Sequence, residues 1–341
     1  MSRTTFTKMS NIKLVSAVLS AFLVAAATPP AHAASKADDV RVLAWNIWHG
    51  GKDPAVGGEA NLPLLIDQLA DIAPDVFLSI ETYGSAEDLR AGLSAEAGKG
   101  EYTATRITSR TNDNLWIFTH YPITQVYPKP VGGIINDFYF GGIRVKLPSG
   151  REANFFDTWL NYSDPWVGDM IDANAAAIQK GEAQPYTAEQ VVKGDTQVQL
   201  PQITDIIHNH LPAMLAGNTD PVILGGDFNT LPAADWTRGG AHCHYGLSYD
   251  LQATDVVTDA GFVDTYRAAN RNVCKSPGKT WSPQPDYDYM ITKDRIDFIF
   301  AKGTGVKVRD SFTVDQRLAS HGPGKFYSDH AAMVTDLRIS R

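Results

Sequence analysis

Pro221-Val222-Ile223-Leu224-Gly225-Gly226-Asp227-Phe228-Asn229 is the stretch that decides the fold. Pro221 to Gly225 is apolar throughout, as a strand buried on both faces requires, and it opens onto Gly-Asp-Phe-Asn. On an extended backbone, residues i and i+2 face the same way. Asp227 and Asn229 are therefore expected side by side, a carboxylate next to an amide. Gly225 and Gly226 let neighbouring backbone approach closely. Taken alone, Gly-Asp-x-Asn is also a turn or a helix cap. The apolar strand before it favours a ligand site, because ligands gather where core strands end.

Similar runs lie on either side. Val40–Trp45, Val76–Ile80, Leu115–Thr119, Ile143–Leu147 and Ala153–Leu160 are expected strands, with Pro148-Ser149-Gly150 turning the last two into a hairpin. Ile296–Ala301, Val306–Val308 and Ala331–Leu337 close the chain as further strands. Leu62, Leu65, Ile66, Leu69 and Ile72 recur at helical spacing and stop at Pro74. A second helix is expected from about Leu200, with Ile203, Ile206, Ile207, Leu211, Met214 and Leu215 on its apolar side. Pro201 suits its first turn, and Pro212 is expected to kink or shorten it. Ser163–Gly194 is polar without a clear period, and reads as an irregular loop, either functional or a surface insertion. The alternation of strands and helices implies one α/β domain with a layered sheet core.

Four more segments end strands with chemistry-bearing side chains: Asn46 after the first strand, Glu81 after the second, Asp297 at the start of another, and Asp329-His330 before the last. Mg²⁺ is hard, octahedral and mostly hydrated, and needs only one or two carboxylates. Glu81 meets that sparse demand, with Asp329 as a second candidate ligand. A hydrogen bond from the His330 ring to Asp297 would fix its tautomer and raise its basicity.

The first 33 residues read as a secretory leader: Arg3, Lys8 and Lys13, a short apolar run from Leu14 to Ala27, and Ala31-His32-Ala33 as the cleavage site. The domain proper is then residues 34–341, exported to the extracellular space or periplasm. No segment holds the roughly 18 apolar residues of a membrane span. The formal net charge is −8. Without the leader it falls to about −11, which argues against tight non-specific nucleic-acid binding but not against a nuclease with a basic groove. Arg106, Arg110 and Arg144 are the candidate basic residues for such a groove. Cys243 and Cys274 can pair in an oxidising compartment, or stand as two free thiols. A monomer is expected.

Taken together, the segments around Asn46, Glu81, Asp227-Phe228-Asn229, Asp297 and Asp329-His330 resemble the endonuclease/exonuclease/phosphatase superfamily. That Mg²⁺-dependent fold is shared by deoxyribonucleases, abasic endonucleases, bacterial sphingomyelinases and inositol-polyphosphate 5-phosphatases. Framework echoes appear in Trp116–Ile123, Gly261–Arg267 and Thr280-Trp281. The resemblance implies a four-layer sandwich, two mixed β-sheets packed face to face and flanked by helices. It implies a metal-dependent phosphoesterase, most plausibly a phosphodiesterase, using Mg²⁺, or Mn²⁺ or Ca²⁺ in its place. By resemblance Glu81 binds the metal with Asn46 beside it, and Asp329 helps or polarises the site. Asp227 orients or deprotonates water, Asn229 holds a phosphoryl oxygen, and Asp297 supports His330 at the phosphate.

One motif departs. Phosphodiesterase members commonly carry Asn-Thr-His-Leu, whose histidine assists the leaving group, and some use tyrosine there. This chain has Asp157-Thr158-Trp159-Leu160. An indole donates one hydrogen bond and is no acid near neutral pH. Either another group protonates the leaving oxygen, with Asn161, Tyr162 and His49 as candidates by sequence proximity, or the leaving group needs no acid, or the substrate differs; Trp159 either stacks on a base or sugar ring or packs in the core. The departure keeps open a non-catalytic binding protein on the same scaffold. The substrate is a phosphodiester, a phospholipid headgroup or a nucleic acid; the apolar stretch Val131–Gly142, with Ile134, Ile135, Phe138, Tyr139 and Phe140, is either a lipid-facing loop or packing.

Overall fold

In the computed structural model, which describes residues 37–109 and 113–340, the strands form two six-stranded mixed sheets. The first contains β1 (Ala37–Asn46), β2 (Val76–Ile80), β3 (Thr103–Arg106), β4 (Trp116–Thr119), β11 (Val306–Val314) and β12 (Ala332–Ser340), in the order β11-β12-β1-β2-β4-β3. The second contains β5 (Ile123–Val126), β6 (Phe140–Lys146), β7 (Glu152–Trp159), β8 (Val222–Asp227), β9 (Val263–Asp264) and β10 (Asp297–Lys302), in the order β5-β6-β7-β8-β10-β9. The expected leader and Arg110 lie outside the described residues.

Each sheet has one parallel pair at its centre, β1 with β2 and β7 with β8; every other ladder is antiparallel. Parallel pairing puts two carboxyl ends on the same edge. The antiparallel neighbours β10 and β12 begin where β8 and β1 end. The register makes this explicit: Asn46 lies opposite Ile80, Trp159 opposite Asp227, and Asp227 opposite Asp297. One edge of the sandwich thus collects residues from six strand ends.

Three apolar layers hold the sandwich. Val42, Leu78, Ile143, Phe155, Ile299 and Met333 meet between the sheets. Leu43, Trp45 and Phe77 pack under helices α1 (Asn61–Ile72) and α2 (Ala86–Glu96). On the outer face of the second sheet, Phe156, Leu224, Phe298 and Phe300 pack against Ile203, Ile206, Ile207 and Leu211. This is the expected four-layer sandwich.

The Ser163–Gly194 expectation fails. The segment holds α3 (Val167–Lys180) and α4 (Ala188–Thr196). Val167, Met170, Ile171 and Ala175 form a helical stripe, buried against Leu231, Trp236 and Ile296 beside the site. Thr187 and Gln190 form a reciprocal capping box, a T-x-x-Q signal present in the sequence. The helix after Leu200 divides as Pro212 requires. It comprises α5 (Gln199–Asp205), a wide turn over Ile206–His210 in which the Leu211 N–H reaches back to the Ile206 carbonyl, and α6 (Leu211–Leu215). Pro212 has no N–H for the His208 carbonyl, so the ladder must open there. The final hairpin is longer than expected, with β11 running on to Val314 past a register shift at Val308/Asp310. Cys243 and Cys274 are disulfide-bonded. In Val131–Gly142, Ile135 and Phe140 are buried, while Val131 and Ile134 are exposed. No helix among the described residues is long and apolar enough to cross a membrane.

Candidate active site

At the collecting edge the chain folds into a cleft of about 410 Å³. Asn46, Glu81, Trp159, Asp227, Asn229, Asp329 and His330 line it, and Asp297 stands directly behind His330. All eight sequence-derived candidates are therefore brought together.

A single file of contacts runs through them. The buried Asp297 Oδ2 lies 2.9 Å from His330 Nδ1, and His330 Nε2 lies 3.7 Å from Asp227 Oδ2. Asn46 Nδ2 donates to that same Asp227 oxygen at 3.2 Å and to Glu81 Oε1 at 3.1 Å. Asp297 is aimed by its own backbone, since the Ile296 and Asp297 N–H groups both donate to Thr280 Oγ1. His330 is pinned at both ends: its N–H donates to Ser328 Oγ, and its carbonyl accepts from the Trp45 indole. The Ser328 hydroxyl in turn donates to the Asn46 carbonyl at 2.7 Å, tying the β1 end to the last loop.

Asp227 and Asn229 meet as expected, but not along a strand. Asn229 has φ +50°, a left-handed conformation that asparagine tolerates. Its N–H donates to Asp227 Oδ1 at 2.9 Å, and its side-chain nitrogen donates to the Leu160 carbonyl at 2.7 Å and to Asp227 Oδ2 at 3.3 Å. A turn, not an extended run, places the two side by side, and it turns the Asn229 side-chain donors onto protein acceptors. Gly226 before it has φ +138°, and a Cβ there would sit 1.9 Å from the Thr158 carbonyl oxygen. The β7–β8 approach that aims Asp227 needs glycine.

Glu81 also sits on left-handed backbone, φ +57°. Its N–H donates to Asn114 Oδ1 at 2.8 Å, and its carbonyl accepts from the Gly50 N–H at 2.7 Å. Trp48, His49, Gly50 and Gly51 all have positive φ, so this rim is a left-handed turn. A Cβ on Gly50 would stand 2.8 Å from Ser85 Oγ. The Asn46 carbonyl oxygen Oδ1 accepts from the Trp48 N–H, so Asn46 offers the acids its NH₂. It links the Glu81 and Asp227 carboxylates.

Charge in the cleft is unbalanced. Burial pushes Asp227 up, the Asp297 charge adds to this, and His330 opposes it. Burial, with Glu81 close by, raises Asp329 to about 6. Burial works against a charged His330 ring, yet Asp297 and Asp227 outweigh it and hold the ring well above its ordinary value. Asp227, Asp297 and His330 lie close enough to share an ion. The Asp297–His330 hydrogen bond occupies Nδ1 of the ring, and the Glu81 and Asp329 carboxylates line the cleft beside the three.

Trp159 lines the cleft and also packs, stacked on Tyr139 with centroids 6.2 Å apart and edge-on to Phe138 at 5.5 Å. Tyr162 lines the cleft with its ring exposed. Asn161 is committed elsewhere, to Gln202 and Tyr139. The His49 N–H donates to Glu81 Oε2, and its ring pairs with Asp53. Arg106 sits over Trp116, and Arg144 pairs with Glu152 and Asp220; neither lines the cleft. The sequence reading missed Trp48, Trp166, Asp169, Tyr287 and Tyr289, which also line the cleft. The aromatic residues crowded into Trp281–Tyr289 were the one available signal for the last two.

The model of the "Endonuclease/Exonuclease/phosphatase family" matches residues 43–330. An uncharacterised Caenorhabditis elegans protein, F14F9.5, is 25% identical over 318 residues, covering 89% of this chain and 92% of its own length. A family protein from Bacteroides vulgatus superposes with a TM-score of 0.56 at 16% identity, covering 88% of this chain and 98% of its own. The human nocturnin catalytic domain, solved with a bound sulfate anion, gives 0.53 at 16% identity, covering 88% and 94%. These solved structures establish likeness of fold.

Proposed function

The chain belongs to the endonuclease/exonuclease/phosphatase family, and from that premise we propose that it is an exported, divalent-cation-dependent phosphodiesterase. The observation that carries this is the file Asp297–His330–Asp227–Asn46–Glu81, which lines one cleft with Asp297 behind it. Catalysis is favoured over a binding-only scaffold because every member of that file is present, although Trp159 stands where the family's histidine is common.

The donor set fits a hard cation. Glu81 and Asp329 are carboxylates that face the cleft with no lysine or arginine among its described lining residues to neutralise them, and their mutual repulsion contributes to raising Asp329. They would hold the ion. When bound, such an ion offsets phosphoryl charge and acidifies water.

The chain's own residues handle the protons. Asp227 accepts a proton from the water that attacks phosphorus, and Asn46 and Asn229 hold its carboxylate in place. His330, fixed at Nδ1 by Asp297, turns Nε2 toward a phosphoryl oxygen as a charged donor. The P–O bond to the leaving alkoxide breaks with its electron pair. Trp159 cannot protonate that oxygen; in this reading Tyr162, an exposed tyrosine on the cleft lining, does so. Residues 1–33 serve as an export leader, and the Cys243–Cys274 bond suits an oxidising destination.

The test is hydrolysis of bis-p-nitrophenyl phosphate with and without EDTA. Asp227→Asn and His330→Ala are each expected to lower the rate by at least about 10²-fold. Turnover that ignores EDTA, or near-normal rates in either variant, would refute the assignment.

A further inference from the structure

One wall of the cleft is a row of aromatic rings. Trp281 stands edge-on to the His330 ring, with centroids 5.0 Å apart. Tyr287 follows at 4.8 Å, Tyr289 at a further 6.3 Å, and Trp166 meets Trp281 at 6.3 Å. The wall is fastened. The Trp166 indole donates to the Asn229 carbonyl at 2.8 Å. Asp172 of α3 accepts from the Ile291 and Thr292 N–H groups and the Thr292 hydroxyl, at 2.7, 2.9 and 3.1 Å. That clamp holds the loop bearing Tyr287 and Tyr289 against the helix. Asp169, one turn earlier on α3, lines the same mouth, and Tyr289 beside it is 68% exposed.

The electrostatics of this wall point one way. Among the described residues no lysine or arginine lines the cleft, whereas Glu81, Asp169, Asp227 and Asp329 do. A polyanion needs cations for its flanking phosphates, and none is offered here. Ring faces carry negative potential, so a row of them beside a carboxylate favours a cation, most of all one that sheds water easily. The wall begins at His330, so such a cation would lie within a few bonds of the reacting phosphorus.

Resting on the phosphodiesterase reading above, we propose that Trp166, Trp281, Tyr287 and Tyr289, with Asp169 at the mouth, form a subsite for a quaternary-ammonium group, making choline-type phosphodiesters the substrate class.

The probe pair is p-nitrophenyl phosphocholine and its neutral isostere, p-nitrophenyl 3,3-dimethylbutyl phosphate. In each, water adds to phosphorus, its proton passes to Asp227, and p-nitrophenolate leaves with the P–O electron pair. With Mg²⁺ present, kcat/KM is expected to favour the choline ester by about tenfold, the middle of the range for a partly desolvated cation on aromatic faces. Tetramethylammonium is expected to compete with the choline ester in the unaltered protein. Asp169→Asn combined with Tyr289→Leu is expected to bring the ratio toward one. A ratio of one in the unaltered protein, no competition by tetramethylammonium, or a ratio that survives the double substitution overturns the subsite. Turnover of bis-p-nitrophenyl phosphate separates the two levels. If that ester is hydrolysed and the ratio is one, only the subsite fails; if it is not hydrolysed, the phosphodiesterase reading fails first. Glycerophosphocholine in solution and phosphatidylcholine in vesicles then distinguish a small diester from a lipid headgroup by which is hydrolysed. Hydrolysis of neither overturns the substrate class.

Discussion

Replacing Asp157 by asparagine should change how stability depends on pH more than it changes stability at any one pH. Asp157 is fully buried, and neither of its oxygens has a hydrogen-bond partner. It faces Gly141 on one side and Gly225 on the other. The space above those glycines is taken by Ile107 and Leu78, whose atoms a Cβ would strike at 1.8 and 2.7 Å. Burial among such groups raises the carboxyl well above its ordinary 3.8. The sign follows directly. The folded protein binds this proton more tightly than the unfolded chain, so the contribution is greatest below pH 3.8 and is lost as pH rises toward the folded value. Within that window the loss is about 1.4 kcal/mol per pH unit. Asparagine does not titrate. The stability of Asp157→Asn relative to the parent should therefore climb steadily as pH rises from 3.8 toward the raised folded value. Urea unfolding followed by tryptophan fluorescence, with EDTA present and both proteins at each pH, measures that difference while the other titrating groups cancel. A difference that stays flat across the window would show that Asp157 ionises freely in the folded protein, and would refute the burial argument.

Gly226→Ala should force β8 away from the Thr158 carbonyl and swing Asp227, costing about 10²-fold in kcat/KM and about 1–3 kcal/mol in stability; unchanged kinetics would mean that this approach does not aim Asp227. Asp297→Asn should lower kcat by about 10²-fold or more and move the alkaline limb of the rate profile to lower pH, because Asp297 is the leading group that holds His330 protonated against burial. An unmoved limb would remove His330 from the proton chain. Replacing Cys243 and Cys274 by serine should cost roughly 3–4 kcal/mol by freeing the intervening loop in the unfolded chain, measurable as a lower urea midpoint. Protein recovered from the culture medium or periplasm should begin at Ala34; an intact Met1 start would contradict export by a cleaved leader.

Much of the fold is legible because its strands are buried on both faces and therefore uninterrupted. Val76–Ile80 was bounded to the residue, and Pro221–Gly225 within two. The candidate residues that meet in the cleft stand out in the sequence for a related reason: each lies at the end of such a run, and parallel pairing delivers strand ends to one edge. What stayed hidden depends on contacts between segments. The α3 stripe of Val167, Met170, Ile171 and Ala175 is diluted by polar residues, so no period stood out. Nothing local shows that Asp157 lacks partners, because its neighbours belong to other strands. Gly50, Gly51 and Asn229 suit a left-handed backbone locally, but the positive φ of Trp48 and Glu81 has no local signal behind it. The aromatic wall joins Trp166 to residues more than a hundred positions later, brought together by apolar packing on α3 and by the Asp172 clamp.

On the proposed function, Glu81 and the residues in file with it form a cation-requiring hydrolytic site. The most direct measurement is the rate of bis-p-nitrophenyl phosphate hydrolysis as Mg²⁺ is added back to EDTA-stripped protein, for the parent and for Glu81→Gln. The parent should regain full rate at saturating Mg²⁺, and Glu81→Gln should need at least about tenfold more of the ion. Identical Mg²⁺ dependence in the two proteins, or activity in the stripped parent, would contradict the claim.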